Sequence, residues 1–210
     1  MIKQSFYSLF LLSSFIMFPA FSFNTEIDDS KMIALAQSAQ SYKVDPLHSK
    51  VTFEVAHLVI STVNGEFKKF EGNFKFNPDN FSQSQLDASV ETNSIDTAVQ
   101  KRDDHLKSPD FFDTKKFPKM TFKSKSAKKT SSDSFDLMGD LTIRGVTKPI
   151  TFKVKYKGQI KSKDKTIQAF KAVAEINRKD FGMSFQNIAE AGPVVGDVVT
   201  ISLVCEGINS

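Results

Sequence analysis

From residue 51 onward the chain alternates apolar and polar side chains with a period of two, and this pattern restricts the fold more than any other feature. Val51, Phe53, Val55, His57 and Val59 share one face of an extended segment, while Lys50, Thr52, Glu54 and Ala56 share the other. Gly65 and Phe67, then Phe70, Gly72, Phe74 and Phe76, repeat the alternation, with the Lys68-Lys69 pair resetting its parity as a β-bulge would. Further strands are expected over residues 86–91, 120–126, 135–144, 150–158, 167–177 and 198–206, about eight in all. Strands with one wet and one dry face must pack on another layer or close on themselves. Only one helical stretch interrupts them. Thr97 is placed to cap a helix over 98–107, and Ser108-Pro109 to start a second turn carrying Phe111 and Phe112. The economical fold is all-β: an up-and-down, eight-stranded antiparallel barrel with a short helix after the third strand, lying at one mouth.

Such a barrel leaves an interior just wide enough for one small ligand or a filling of side chains. The 210 residues hold 21 Phe, three Tyr and no Trp, so the interior is lined by rings that offer area and nothing to hydrogen-bond. The inward-facing set is Phe53, Val55, Phe67, Phe74, Phe76, Leu141, Ile143, Phe152, Val154, Phe170 and Ala172, with His57, Asn177 and Phe181 nearer the mouth. His57 reads either as a satisfied core histidine or as a polar contact for a ligand head group.

Chemistry-bearing patterns are few. The three histidines, His48, His57 and His105, have no spacing that puts two ligands on one face; Cys205 is alone, and no HExxH or CxxC occurs. Asp103, Asp104 and His105 are consecutive, and helical neighbours point about 100° apart, which keeps them from converging on one atom. No metal site or cofactor is therefore expected. Gly139, Gly145 and Gly182 match no phosphate loop, and Gly145 after Arg144 reads as a tight turn between strands. Lysines cluster at 115–129 and 161–165 without an arginine-aromatic platform, which suits solvated strand edges and loop tips better than a nucleic-acid surface.

Three phrases sharpen this picture: KRDDHLKSPDFFD (101–113), FPKMTFKS (117–124) and GDLTIRGVTKPI (139–150). With YKVDPLHSKVTFEVAHL (42–58), GEFKKFEGNFKF (65–76), INRKDFG (176–182) and VGDVVTISLVCEG (195–207), the chain resembles the YceI-like family over roughly residues 42–208. The resemblance implies a lipocalin-like barrel that binds, sequesters or transports a long-chain amphiphile in the periplasm, such as a polyisoprenoid, a prenyl quinone, or a fatty amide or acid. It implies no catalysis. Arg102, Asp103, His105 and Leu106 match the family's Arg-Asp-x-His-Leu phrase, which serves either as a clamp fixing the helix or as a head-group contact. Phe117 stands where relatives often have a tyrosine before Pro118, which removes a hydroxyl. The energetics suit a long tail: each buried methylene contributes about 0.8 kcal/mol, against about 4–15 kcal/mol of freedom lost on association. The rival readings are an enzyme on prenyl compounds using Asp103, Asp104 or His105, and a filled, stress-protective structural barrel. Partners are expected to be a long isoprenoid or fatty ligand and no nucleic acid, and a homodimer is left open.

The first 22 residues read as an export signal. Lys3 precedes an apolar run over 6–18, too short for a transmembrane helix of about 20 residues, and Pro19 and Ala20-Phe21-Ser22 follow it. Residues 23–41 form a leader and 42–210 the barrel. Of the 28 Lys and Arg only Lys3 lies in the signal, which has no Asp or Glu, so the mature charge is about +3. One cysteine allows no internal disulfide, and the domain is held by packing. Intact mass of the exported protein is expected to correspond to a chain starting at Phe23; a species retaining Met1 would overturn both the signal and the periplasmic assignment.

Overall fold

The burial pattern of β8 shows the force that bends the sheet. In this computed structural model, which describes residues 38–58, 60–186, 188–189 and 192–209, every second residue from Phe135 to Ile143 is buried while its neighbours are half-exposed. The strands are β1 (Gln40–Val44), β2 (Lys50–His57), β3 (Ser61–Phe67), β4 (Phe70–Phe76), β5 (Gln85–Glu91), β6 (Ile95–Asp96), β7 (Lys119–Lys129), β8 (Ser134–Ile143), β9 (Val146–Ser162), β10 (Lys165–Asn177) and β13 (Val195–Ile208). A separate ribbon pairs β11 (Ile188–Ala189) with β12 (Gly192–Pro193). The signal assignment and residues 23–37 of the leader lie outside the described residues; β1 already begins at Gln40.

All pairings are antiparallel, and three of the ring's eight members are each broken once. β13 pairs with β1 at Lys43↔Ile208 and with β2 from Lys50↔Val204 onward, so β1 and β2 form one strand interrupted at 45–49. Its neighbour is likewise divided, with β3 along β2 and β4 along β1. The third comprises β5 along β4 and β6 along β3, separated by a 3₁₀ turn at Thr92–Ser94. The unbroken β7, β8, β9, β10 and β13 complete the circle. The barrel is the expected eight-stranded antiparallel one, with a single short α-helix among the described residues. The parity reset at Lys68-Lys69 is present, with Phe67 buried and Phe70 facing the interior, but the ladder breaks into two strands there instead of holding through a bulge.

Two ends close the ring. At one, the helix α1 (Gln100–Lys107) and the turns after it bring in Phe111 and Phe112, whose ring meets Phe67 edge-on at 5.6 Å. Phe181 and Met183 are buried just after β10. At the other end, a 3₁₀ turn at Phe81–Gln83 lays Phe81 against Phe76 at 5.6 Å and Phe135 at 5.2 Å. Gln168, 1% exposed, sits among these rings and is fully engaged: its amide donates to the Tyr42 hydroxyl (3.0 Å) and Gln159 Oε1 (3.1 Å), and its oxygen accepts from the Tyr156 hydroxyl (2.8 Å). A buried amide without such partners would cost about 1–3 kcal/mol.

One detail differs from the sequence reading: Thr97 does not cap the helix, whose N-cap is Val99. Ser108-Pro109 starts the expected turn carrying Phe111 and Phe112, with Phe111 N–H donating to Ser108 O (3.1 Å) and Phe112 N–H to Leu106 O (3.0 Å). The Arg144-Gly145 turn is as expected: both residues have positive φ (52° and 74°), the geometry that matches the twist of a two-residue hairpin. Lysines on the outer wall face acids on neighbouring strands, as in Lys125 with Asp140 and Lys153 with Asp136, both at 2.7 Å. Exposed pairs of this kind contribute little each, and they mark a solvated outer surface.

Candidate functional site

Between the two closed ends lies a partly open cavity of about 160 Å³, lined almost wholly by apolar atoms. Its walls come from the inward faces of β4, β5, β7, β8, β9, β10 and β13, with Val44 and Val51 on either side of the break between β1 and β2. Of the fourteen residues expected to contact a ligand, Phe74, Phe76, Leu141, Phe152, Val154, Phe170 and Ala172 line it. Phe53, Val55, Phe67, Ile143 and Phe181 do not; Phe67, Ile143 and Phe181 are buried, and Phe53 packs on Phe67 at 5.8 Å. His57 does not line the cavity; it is the last residue of β2, with Nδ1 3.3 Å from the Ser61 hydroxyl. Asn177 faces outward: β10 buries Gln168, Phe170, Ala172, Ala174 and Ile176, so the odd-numbered Asn177 falls on the wet side. There its side chain caps the 3₁₀ turn Arg178–Phe181 by accepting from Lys179 N–H at 2.9 Å.

Several wall residues lie outside the set expected from the sequence, notably Leu86, Ala88, Phe122, Leu137, Ile201 and Leu203. They share the alternation that marks the others, and the same parity count on β5, β7, β8 and β13 picks them out. The wall also carries Cys205, whose burial pushes its thiol up to about 11. A thiol held protonated is a poor nucleophile.

Arg102 and Asp103 meet at one residue. The Arg102 guanidinium donates to Thr97 Oγ1 (2.7 Å) and to the Thr97 carbonyl (2.8 Å). The buried Asp103 Oδ1 accepts from the Thr97 hydroxyl (2.6 Å) and the Thr97 N–H (2.9 Å). Thr97 follows β6 directly, so these four bonds fasten α1 to the strand that precedes it. Asp104 accepts from Gln100 Nε2 (2.7 Å), and His105 Nε2 lies 2.8 Å from Asp110 Oδ2 with its ring edge-on to Phe111 and Phe185. The three consecutive side chains therefore serve three different partners. Among the described residues no group of three His, Cys, Asp or Glu is arranged to hold a metal ion.

A second arginine carries more than the first. Arg178 is 2% exposed, and its guanidinium donates to Gly196 O (2.8 Å), Met183 O (2.6 Å), Val195 O (3.4 Å) and Asp197 Oδ1 (3.0 Å). It joins the turn after β10 to the start of β13. The phrase INRKDFG marks the segment, yet periodicity alone gives a buried arginine no partner, because its acceptors lie 5 and 17 to 19 residues further along the chain.

The YceI-like domain family model matches residues 42–207. The chain is 39% identical over 174 residues to Protein YceI of Salmonella newport (strain SL254), covering 81% of this chain and 88% of that protein. Its fold is similar to that of Burkholderia cenocepacia BcnA, with a TM-score of 0.69 and 26% identity over 80% of this chain and 99% of that one. It is also similar in fold to a polyisoprenoid binding domain from Saccharophagus degradans, with a TM-score of 0.59 and 15% identity over 79% and 97% of the two chains.

Two outcomes follow. Arg102→Ala is expected to lower the unfolding free energy by about 1–3 kcal/mol and Arg178→Ala by more, about 3 kcal/mol or above, in urea melts; the reverse order would refute the view that the more deeply buried guanidinium, with its four acceptors, holds the fold more firmly. For Cys205, the folded thiol keeps its proton while the unfolded one ionises near the ordinary value of 9.0. Its contribution is thus complete below that pH and lost as pH rises through about 11. Between those limits the wild type should lose about 2–3 kcal/mol relative to Cys205→Ala, and a constant difference would show that the thiol is not buried.

Proposed function

The chain belongs to the YceI-like family, and from that premise and the cavity we propose that it binds and carries, or sequesters, a long-chain amphiphile in the periplasm. The observation that carries the reading is the cavity wall, built from Phe, Leu, Val, Ile and Met side chains with almost no polar atom exposed to it. A mostly apolar, concave site with few polar groups is what a hydrophobic ligand requires. The Saccharophagus degradans domain is described as polyisoprenoid-binding; its likeness supports the fold, while the ligand class here rests on the wall's chemistry. Among the described residues no helix is long and apolar enough to cross a membrane.

The free volume constrains how such a ligand is held. About 160 Å³ is small beside pockets of roughly 300–1,000 Å³ that enclose drug-sized molecules. A thin hydrocarbon chain suits it better than a bulky ring, and a long tail enters only as side chains such as Met120 and Phe122 give way. The same observation favours one rival, a filled structural barrel, since Phe76, Phe81, Phe135, Tyr156 and Phe170 already occupy one end. Arg102, Asp103 and His105 act in this reading as fasteners of the helix, with no contact to the ligand.

Protein purified from its native periplasm without detergent is expected to release a stoichiometric amphiphile on solvent extraction, detected by mass spectrometry. Ala172→Trp should reduce the amount several-fold by filling the lumen, and Lys68→Ala on the outer kink should leave it unchanged. An empty extract, together with added prenyl quinone that neither binds nor raises the melting temperature, would overturn the carrier and leave the filled barrel.

A further inference from the structure

The hairpin between β9 and β10 carries cations that the rest of the fold does not use. β8 leaves β9 at Ser134↔Lys155, whereas β9 runs on to Ser162 and turns at Lys163-Asp164 into β10. Beyond Tyr156, whose N–H still reaches Asp133 O (2.8 Å), β9 pairs with β10 alone. Asn209 N–H donates to Thr166 O (3.1 Å) and steadies the base of the hairpin. It projects at the end of the barrel closed by Phe81, where the connections at 77–84 and 130–133 also turn.

Residues 157–167 hold four lysines against one acid, Asp164. All four are exposed, and none of them forms an ion pair with a described residue, whereas Lys125, Lys153 and Lys155 on the outer wall each meet an aspartate. Lysines alone guard a free strand edge against pairing with other chains. That role does not explain Ile160, which is 66% exposed in their midst. Register sets Ile160 beside Ile167 and Ile167 beside Ile208, so three isoleucines on adjacent strands make a row on the outer face. Lys165, two residues from Ile167, shares that face; Lys161 takes the opposite one, and Lys163 occupies the tip. A folded acidic partner would cover one face and leave the lysines of the other in water. A layer of anionic head groups surrounds the tip on every side, with isoleucine entering the apolar boundary and long lysine stems reaching back to phosphate.

We propose that the β9–β10 hairpin is a docking finger for an anionic lipid bilayer, with Ile160 at the head-group boundary and Lys161, Lys163 and Lys165 against the phosphates. The Phe81 end then faces the membrane and α1 faces away. Docking stands on the hairpin itself; its use, bringing the lumen to where an amphiphile dissolves, rests on the carrier reading above.

Flotation of the mature protein with phosphatidylcholine vesicles, made with and without phosphatidylglycerol, tests the finger. Wild type is expected to bind the anionic vesicles at low salt, to leave them at high salt and to ignore the neutral ones. Lys161→Gln, Lys163→Gln and Lys165→Gln together should weaken binding about 100-fold at low salt, since each lysine near an anionic surface contributes about fivefold. Ile160→Ser alone should weaken it about 3- to 10-fold. Lys101→Gln, Lys115→Gln and Lys148→Gln together remove the same charge from exposed positions near α1, and this control should bind as wild type does. Equal losses in the two triple variants would show that net charge alone attracts the protein, and would overturn the finger. Equal binding to neutral vesicles overturns it too, as does retention on immobilised polyglutamate with none on vesicles, the behaviour of a site for an acidic protein. A protein that releases amphiphile on extraction yet passes every vesicle by loses the finger and keeps the carrier; one that docks but yields an empty extract keeps the finger and loses the carrier.

Discussion

With β13 hydrogen-bonded to β10 on one side and to β1 and β2 on the other, the ring closes through β1, β4 and β5, while the arm β2-β3-β6 ends on β6. Every second side chain of eight strands is thereby committed to an interior that water cannot hydrate without penalty. Phenylalanine satisfies that commitment with area and no donors, which is why Phe74, Phe76, Phe122, Phe152 and Phe170 meet in edge-on pairs inside the barrel. Where rings crowd, the core is solid; where Ala88 and Ala172 replace them, space remains. The cavity is thus a local shortage of side-chain volume inside an otherwise filled barrel.

Polar groups are confined to places where each can be matched. At one end Gln168 joins Tyr42, Tyr156 and Gln159; at the other Arg178 gathers the carbonyls of Met183, Val195 and Gly196, and Arg102 with Asp103 closes on Thr97. These fasteners hold the covers of a barrel whose middle has almost nothing to hydrogen-bond. Arg144 adds another from the hairpin turn, donating to the carbonyls of Pro109 and Phe111.

Much of this is legible in the chain because two-residue alternation is a local signal. The strands, the ring count, the Arg144-Gly145 turn and the parity change at Lys68-Lys69 all follow from neighbouring residues. The features that escape depend on partners far away. β1 is short and ordinary alone, and becomes a strand because Tyr42 and Lys43 meet Phe74, Asn73 and Ile208. Asn177 reads as inward from its segment, and one residue of parity at the end of β10 turns it out. Thr97 has the chemistry of a cap, yet the acceptor is Asp103 and the threonine donates.

The closure of the ring by its first and last strands sets an order in time. Lys43 and Val44 have their partners at Ile208 and Gly207, so the barrel cannot shut until Ile208 has been synthesised. Contacts between such distant residues make folding slow, because loop entropy is lost before the pairing compensates it. Until the fourteen residues of β13 arrive, β1, β2 and β10 each lack a neighbour and the apolar faces stay open. A nascent chain of this kind stays open until its final strand pairs with β10, β1 and β2.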